Sequence, residues 1–155
     1  MKKGFTLVEL LIVLAVIAAL MAVATPMALN AVKTAKASQV GQNLSALKSA
    51  VEQYVYSEKA VPKKISDLKD YLTNFDTIKD TYKLRYKDFD STSQAIIVIV
   101  YDAADVTADA VANQYTLAGP ITTNSIKTYG DGGDTIYGTS TTNLPGATVT
   151  VMKWW

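Results

Sequence analysis

Histidine and cysteine are absent from the 155 residues, which removes the imidazole base, the thiolate nucleophile, the usual zinc ligands and any disulfide framework. Carboxylates remain, and their spacing separates three cases. Glu9 stands directly before an unbroken apolar run from Leu10 to Ala24. A charge at a bilayer centre costs ~2.5 to 3.5 kcal/mol on insertion scales, so Glu9 calls for an interfacial depth or a partner cation. Asp102, Asp105 and Asp109 could share a helical face and bind a cation, but with no nucleophile or base motif beside them a solvated loop is favoured. Asp131 and Asp134 lie in Gly130–Gly138, GDGGDTIYG, where carboxylates and backbone carbonyls suit a hard ion such as calcium; a single copy favours a hairpin turn, and the calcium loop stays open. Trp154 and Trp155 follow Lys153. Paired indoles are expected to pack on the body of the protein; the alternative is an adhesive patch for a surface, a sugar or DNA, which no basic cluster accompanies. No constellation of nucleophile, base and oxyanion donors exists, so neither an enzyme nor a resident cofactor is expected.

The elements that must position these groups follow from the distribution of apolar residues. The chain is 49% hydrophobic and 19% charged, with 15 basic against 14 acidic side chains, which fits one core of moderate size and gives no global field for nucleic acid. As a helix, the 25 residues from Phe5 to Leu29 would reach ~37 Å, enough to cross a hydrocarbon core of ~30 Å. Lys2 and Lys3 precede the run and the next basic residue is Lys33, which places the N-terminus in the cytoplasm and the body outside. Ala22-Val23-Ala24 can be read as a conventional signal-peptide cleavage site, but the amphipathic pattern continues beyond it and Glu9 has no use in a signal peptide. Pro26 lacks the N–H that would bond the Ala22 carbonyl, so a kink or local melting is expected there. From Met27 to Ser57 the helical period persists, with Val40, Leu44, Leu47, Val51 and Tyr54 on one stripe and Lys33, Lys36, Gln42, Lys48 and Glu52 opposite.

The stretch KKGFTLVELLIVLAVIAALMAVATP, Lys2 to Pro26, closely resembles the N-terminus of class III prepilins, the type IV pilin and pseudopilin superfamily. Gly4, Phe5, Thr6, Leu7, Glu9 and Pro26 carry the resemblance. It implies cleavage between Gly4 and Phe5 by a prepilin peptidase, N-methylation of Phe5, and assembly through Phe5, Glu9 and Pro26. Physically, cleavage exposes an α-ammonium at Phe5, and Glu9 of one subunit can neutralise that of another in a staggered bundle of helices. Family pilins often have a glycine nearer the middle of the helix; Ala18 stands there, a better helix former by ~1 kcal/mol, which argues against extensive melting.

Beyond Lys59 the pattern changes. Val61-Pro62 should end the helix, Ser66 should cap a short helix through Leu72, and strands are expected at Tyr82 to Phe89, Gln94 to Tyr101, Asn113 to Ala118, Ser125 to Tyr129, Thr135 to Tyr137 and Ala147 to Trp154. The run Ile96 to Val100 suits a central strand covered on both faces. Gly119-Pro120, Asp131-Gly132-Gly133 and Pro145-Gly146 read as turns. Thr139 to Thr142 suit either glycosylation or a polar turn. The expected class is α+β: a long kinked N-terminal helix, transmembrane in its first half and amphipathic in its second, packed on a small antiparallel sheet, as in pilins. The expected division is a leader, 1–4, a helix, 5–58 (apolar 5–29, amphipathic 30–58), and a β-rich head, 59–155. The resemblance implies a single-pass precursor in the inner membrane that becomes the subunit of a type IV pilus-like surface filament. Its partners would be further copies of itself, the peptidase, a membrane assembly platform and a cytoplasmic ATPase. The alternatives are a pseudopilin of a type II secretion or DNA-uptake machine and, from another class, a membrane-tethered binding protein or hydrolase. DNA as a partner has no support in the sequence.

Overall fold

The computed structural model describes residues 5–89, 93–103, 105–116, 118–122 and 143–154. Helix α1, Leu7–Glu58, is followed by a 3-10 turn, Ile65–Tyr71, a short helix α2, Phe75–Ile78, strands β1, Tyr82–Phe89, and β2, Gln94–Tyr101, a short helix α3, Ala108–Ala112, and strands β3, Gly119–Thr122, and β4, Asn143–Met152. The chain divides into two compact units, residues 1–35 and 36–155.

In the first unit every described residue is exposed. The helix runs unbroken through Pro26, so the local melting expected there is not seen. Thr25 Oγ1 donates to the Met21 carbonyl at 2.8 Å, one turn back, a local bond that a helical Thr makes without interrupting the ladder.

The second unit holds the core. Its four strands form one antiparallel sheet in the order β1-β2-β4-β3. β1 and β2 pair from Tyr82 opposite Tyr101 to Phe89 opposite Gln94, and β2 pairs with β4 from Gln94 opposite Met152 to Val100 opposite Gly146. The alternation of β2 explains its sequence. Ile97 and Ile99 face α1 and pack with Val40, Leu44, Leu47, Val51 and Val55, together with Leu84 of β1 and Val149 of β4. Val98 and Val100 point to the other face with Leu144, Ile96 and Ile121. A central strand buried on both faces has no place for alternate polar residues, hence the continuous run.

Several expectations are corrected. α1 ends at Glu58, the residue expected, but Lys59 ends it and not Val61-Pro62: Lys59 adopts a left-handed conformation (φ 50°) and its N–H bonds the Val55 carbonyl at 3.1 Å, closing the last turn from within. Ser66 does not cap the following turn; Asp67 does, accepting the Lys63 and Lys64 N–H groups at 2.8 and 3.0 Å. Among the described residues, Asn113 to Thr116 and Ala118 are not in a strand. The residues after α3 continue in turns, with the Tyr115 N–H on the Val111 carbonyl at 2.8 Å, and the strand begins at Gly119. Gly119-Pro120 and Pro145-Gly146 lie within paired strands instead of turns, Pro120 opposite Pro145. β3 is an edge strand and the β2 register begins only at Gly146, so neither proline occupies a central ladder position that needs its N–H. β4 starts at Asn143 and ends at Met152, earlier at both ends than expected. The expected strands at 125–129 and 135–137 and the turn at 131–133 lie outside the described residues.

The tightest approach of α1 to the rest of its unit is at Gly41. A Cβ built there would stand 1.9 Å from Tyr115 Cδ2, so the ring of Tyr115 fills the space a side chain would need. Only glycine admits that contact.

Candidate functional site: the N-terminal segment and the polar cleft

Helix α1 begins with a reciprocal cap. Glu9 Oε2 accepts from both the Thr6 N–H and the Thr6 hydroxyl at 2.8 Å, and the Glu9 N–H donates to Thr6 Oγ1 at 3.3 Å. Threonine followed three residues later by glutamate is a capping box, in which two backbone donors that a helix start leaves free are satisfied by side chains. Reading Glu9 only as an ion-pair partner misses this, although the T-x-x-E spacing in Thr6-Leu7-Val8-Glu9 announces it. The box engages one carboxylate oxygen and ties the side chain to Thr6, the residue next to Phe5, which is 82% exposed.

Behind this polar tip the stretch of α1 from Leu10 to Ala24 is apolar on all sides. No residue from Phe5 to Lys36 is buried, and the segment is long and apolar enough to cross a membrane. A soluble core helix hides such a surface inside its own fold; here it is exposed over the whole first unit and demands lipid or other copies of the same surface. Pro26 falls within this exposed stretch. Gly4 lies outside the described residues, so the Gly4–Phe5 bond has no structural description.

That surface and its cap coincide with a recognised signal. Residues 1–25 match the family model described as the prokaryotic N-terminal methylation motif. The chain carries a class III prepilin signal. The motif is characteristic of type IV pilins and pseudopilins, and the α+β arrangement of a long N-terminal apolar helix with a small antiparallel sheet is pilin-like. The prepilin motif implies processing by a prepilin peptidase and points to a structural protein; with the exposed helix it fits a membrane-anchored precursor. No curated protein and no solved structure is significantly similar to the chain.

In the second unit the candidate carboxylates separate. Asp105 pairs with Lys36, Nζ to Oδ2 at 2.6 Å, and accepts the Tyr101 hydroxyl proton on Oδ1 at 2.7 Å. The hydrogen bonds from Lys36 and Tyr101 hold its carboxyl below the usual range. Asp109 belongs to α3, and the Asp102 N–H bonds the Thr81 carbonyl at 2.8 Å. The described residues contain no group of three acidic side chains placed to hold a metal. Asp131 and Asp134 lie outside the described residues. Trp154 is 55% exposed, not buried as expected; its ring sits 6.3 Å from that of Tyr56 and the Lys59 ammonium 5.6 Å above it. Trp155 is outside the described residues.

Lys36 was expected on a solvated face. Its partner Asp105 is 69 residues away in sequence, a distance over which no local pattern can signal the contact. The same holds for Asn43, which donates to the Tyr82 oxygen at 3.1 Å and accepts from Asn74 at 3.2 Å.

Proposed function

We propose that the chain is the structural subunit of a type IV pilus-like surface filament, drawn from a membrane pool after the leader is removed between Gly4 and Phe5 and the new N-terminus is methylated. The observation that carries this reading is the prepilin motif at the head of a helix whose first thirty-odd residues, Phe5 to Lys36, are all exposed. Apolar surface on that scale is stable in a bilayer and equally stable among like helices, so transfer from membrane to filament need not expose it to water. Phe5 gains an α-ammonium on cleavage. Glu9 uses only one oxygen in its capping box, leaving Oε1 to neutralise the Phe5 ammonium of a neighbouring subunit without dismantling the helix start. Each charge then offsets the desolvation of the other, and the pair sets the stagger between subunits.

The test has two arms. Intact mass of the mature protein should correspond to a chain that begins at a methylated Phe5, and Gly4→Val should retain the leader. Electron microscopy of sheared surface material should then show filaments containing this chain. A mature N-terminus at Thr25 would return the segment to a conventional signal peptide. Correct processing with no long surface filaments would instead assign a pseudopilin of a secretion or DNA-uptake machine.

A further inference from the structure

Within the second unit, α1 presents Lys36, Gln39 and Asn43 at helical spacing to a cleft that the paired Tyr82 and Tyr101 and the side chain of Asp105 also line. Its volume is about 160 Å³, roughly five waters at ~30 Å³ each. Two features define what it can hold. The first is charge: Lys36 and Asp105 face each other at 2.6 Å, and Tyr101 takes the other Asp105 oxygen. The cleft therefore has one cation and one anion, each spent on the other, and no net attraction for an ion.

The second is hydrogen-bonding capacity. Tyr82 is 2% exposed; its oxygen accepts from Asn43, while its proton has no acceptor among the described residues. A buried hydroxyl proton without an acceptor is costly, so this one calls for an oxygen inside the cleft. Gln39 and Thr77 also line the space, neither side chain hydrogen-bonds a described residue, and each offers a donor and an acceptor. Val40 and the rings of Tyr82 and Tyr101, whose centroids are 5.1 Å apart, supply apolar wall. Neutral amides and hydroxyls beside an aromatic and aliphatic wall complement a molecule with hydroxyls on one side and C–H groups on the other.

We propose that this cleft binds a neutral hydroxyl-rich molecule of the size of one sugar ring, with Tyr82 donating to it and Gln39 and Thr77 bonding its hydroxyls. The proposal is independent of filament assembly and of the N-terminal chemistry. The experiment uses the full chain in micelles of an amine-oxide detergent, which lacks a sugar headgroup, with ¹³C-labelled tyrosine rings followed by NMR during titration with D-glucose. The expected result is a saturable shift of the Tyr82 and Tyr101 signals, with Tyr56 and Tyr71 unmoved. In Gln39→Ala and in Thr77→Val the affinity should fall by roughly five-fold each, as for loss of one neutral hydrogen bond. Both side chains are exposed and outside the core, so the fold survives the changes. Absence of a saturable shift, which would leave water as the occupant, overturns the proposal. So does unchanged affinity in both variants, or saturation with inorganic phosphate or glutamate in place of glucose.

Discussion

The contact between Gly41 and Tyr115 gives a prediction whose sign depends on the tertiary structure. Replacing Gly41 by Ala puts a methyl group where Tyr115 Cδ2 would lie only 1.9 Å away, with Cγ at 2.5 Å. These atoms are at the base of the ring, so the whole side chain must move. Overpacking of this kind costs ~1 to 3 kcal/mol. The same substitution gains ~1 kcal/mol of helix propensity, which leaves a net loss of roughly 0 to 2 kcal/mol on the same two principles. In a Tyr115→Ala background the clash disappears and only the propensity remains, so Gly41→Ala should there stabilise by ~1 kcal/mol. The coupling between the two sites is therefore ~1 to 3 kcal/mol. Thermal unfolding of the full chain in micelles measures it. Every Tyr and Trp lies at or beyond Tyr54, so near-ultraviolet circular dichroism reports the second unit alone, at ~3 to 6 °C per kcal/mol for a unit of this size. If Gly41→Ala raises the melting temperature equally in both backgrounds, the ring does not occupy the glycine notch and the packing argument fails.

Glu9→Gln preserves the capping box, since Gln serves in it as well as Glu, but deprives the Phe5 ammonium of its counter-charge. A broken buried pair costs ~3 to 5 kcal/mol, so correctly processed protein should accumulate in the membrane fraction; a wild-type ratio of sheared to membrane-retained protein would refute the pairing. Alkaline pH should weaken the second unit. Burial pushes the Tyr82 phenol up to about 12 from an unfolded value near ~10, so the stabilisation is complete below ~pH 10 and is lost as pH rises through the folded value, up to ~3 kcal/mol in all. Tyr101 shifts in the same direction, by burial first and by Asp105 second; stability that stayed flat to pH ~12 would contradict the burial of both rings. The turn reading of Asp131 and Asp134 predicts the same melting temperature with calcium and with a chelator, in wild type and in Asp131→Asn. A calcium-dependent rise in wild type alone would assign an ion to that loop, because a ligand that binds only the folded state must stabilise it.

Local and periodic features were legible from the residues. The exposed apolar helix follows from fifteen successive residues without a polar side chain, Leu10 to Ala24, and no tertiary contact is needed to make it a helix or to make it apolar all round. The stripe of Val40, Leu44, Leu47 and Val51 became the core face of α1, because a spacing of three and four fixes which side of a helix is apolar whatever lies opposite. The stripe continues through Val55, fully buried, with Tyr54 only partly so. Strands β1 and β2 followed from alternation and from an aliphatic run. The first misreadings came from Gly and Pro. Gly119-Pro120 and Pro145-Gly146 signal turns in any local rule, yet an edge strand and a register that starts after Pro145 tolerate them, and register is a relation between strands distant in sequence.

The sequence by itself determined the processing motif, the membrane-length helix, the capping box at Thr6 and Glu9, and the class of fold, since each depends on neighbours within one or two helical turns or on strand alternation. Only the tertiary structure decided that Lys36 meets Asp105, that Tyr82 keeps a buried hydroxyl beside a polar cleft, and that Gly41 receives the ring of Tyr115. Those contacts join residues 39 to 74 positions apart. A chain closing loops of that length chooses its partners by which surfaces the packed core brings together, and no spacing along the sequence encodes that choice.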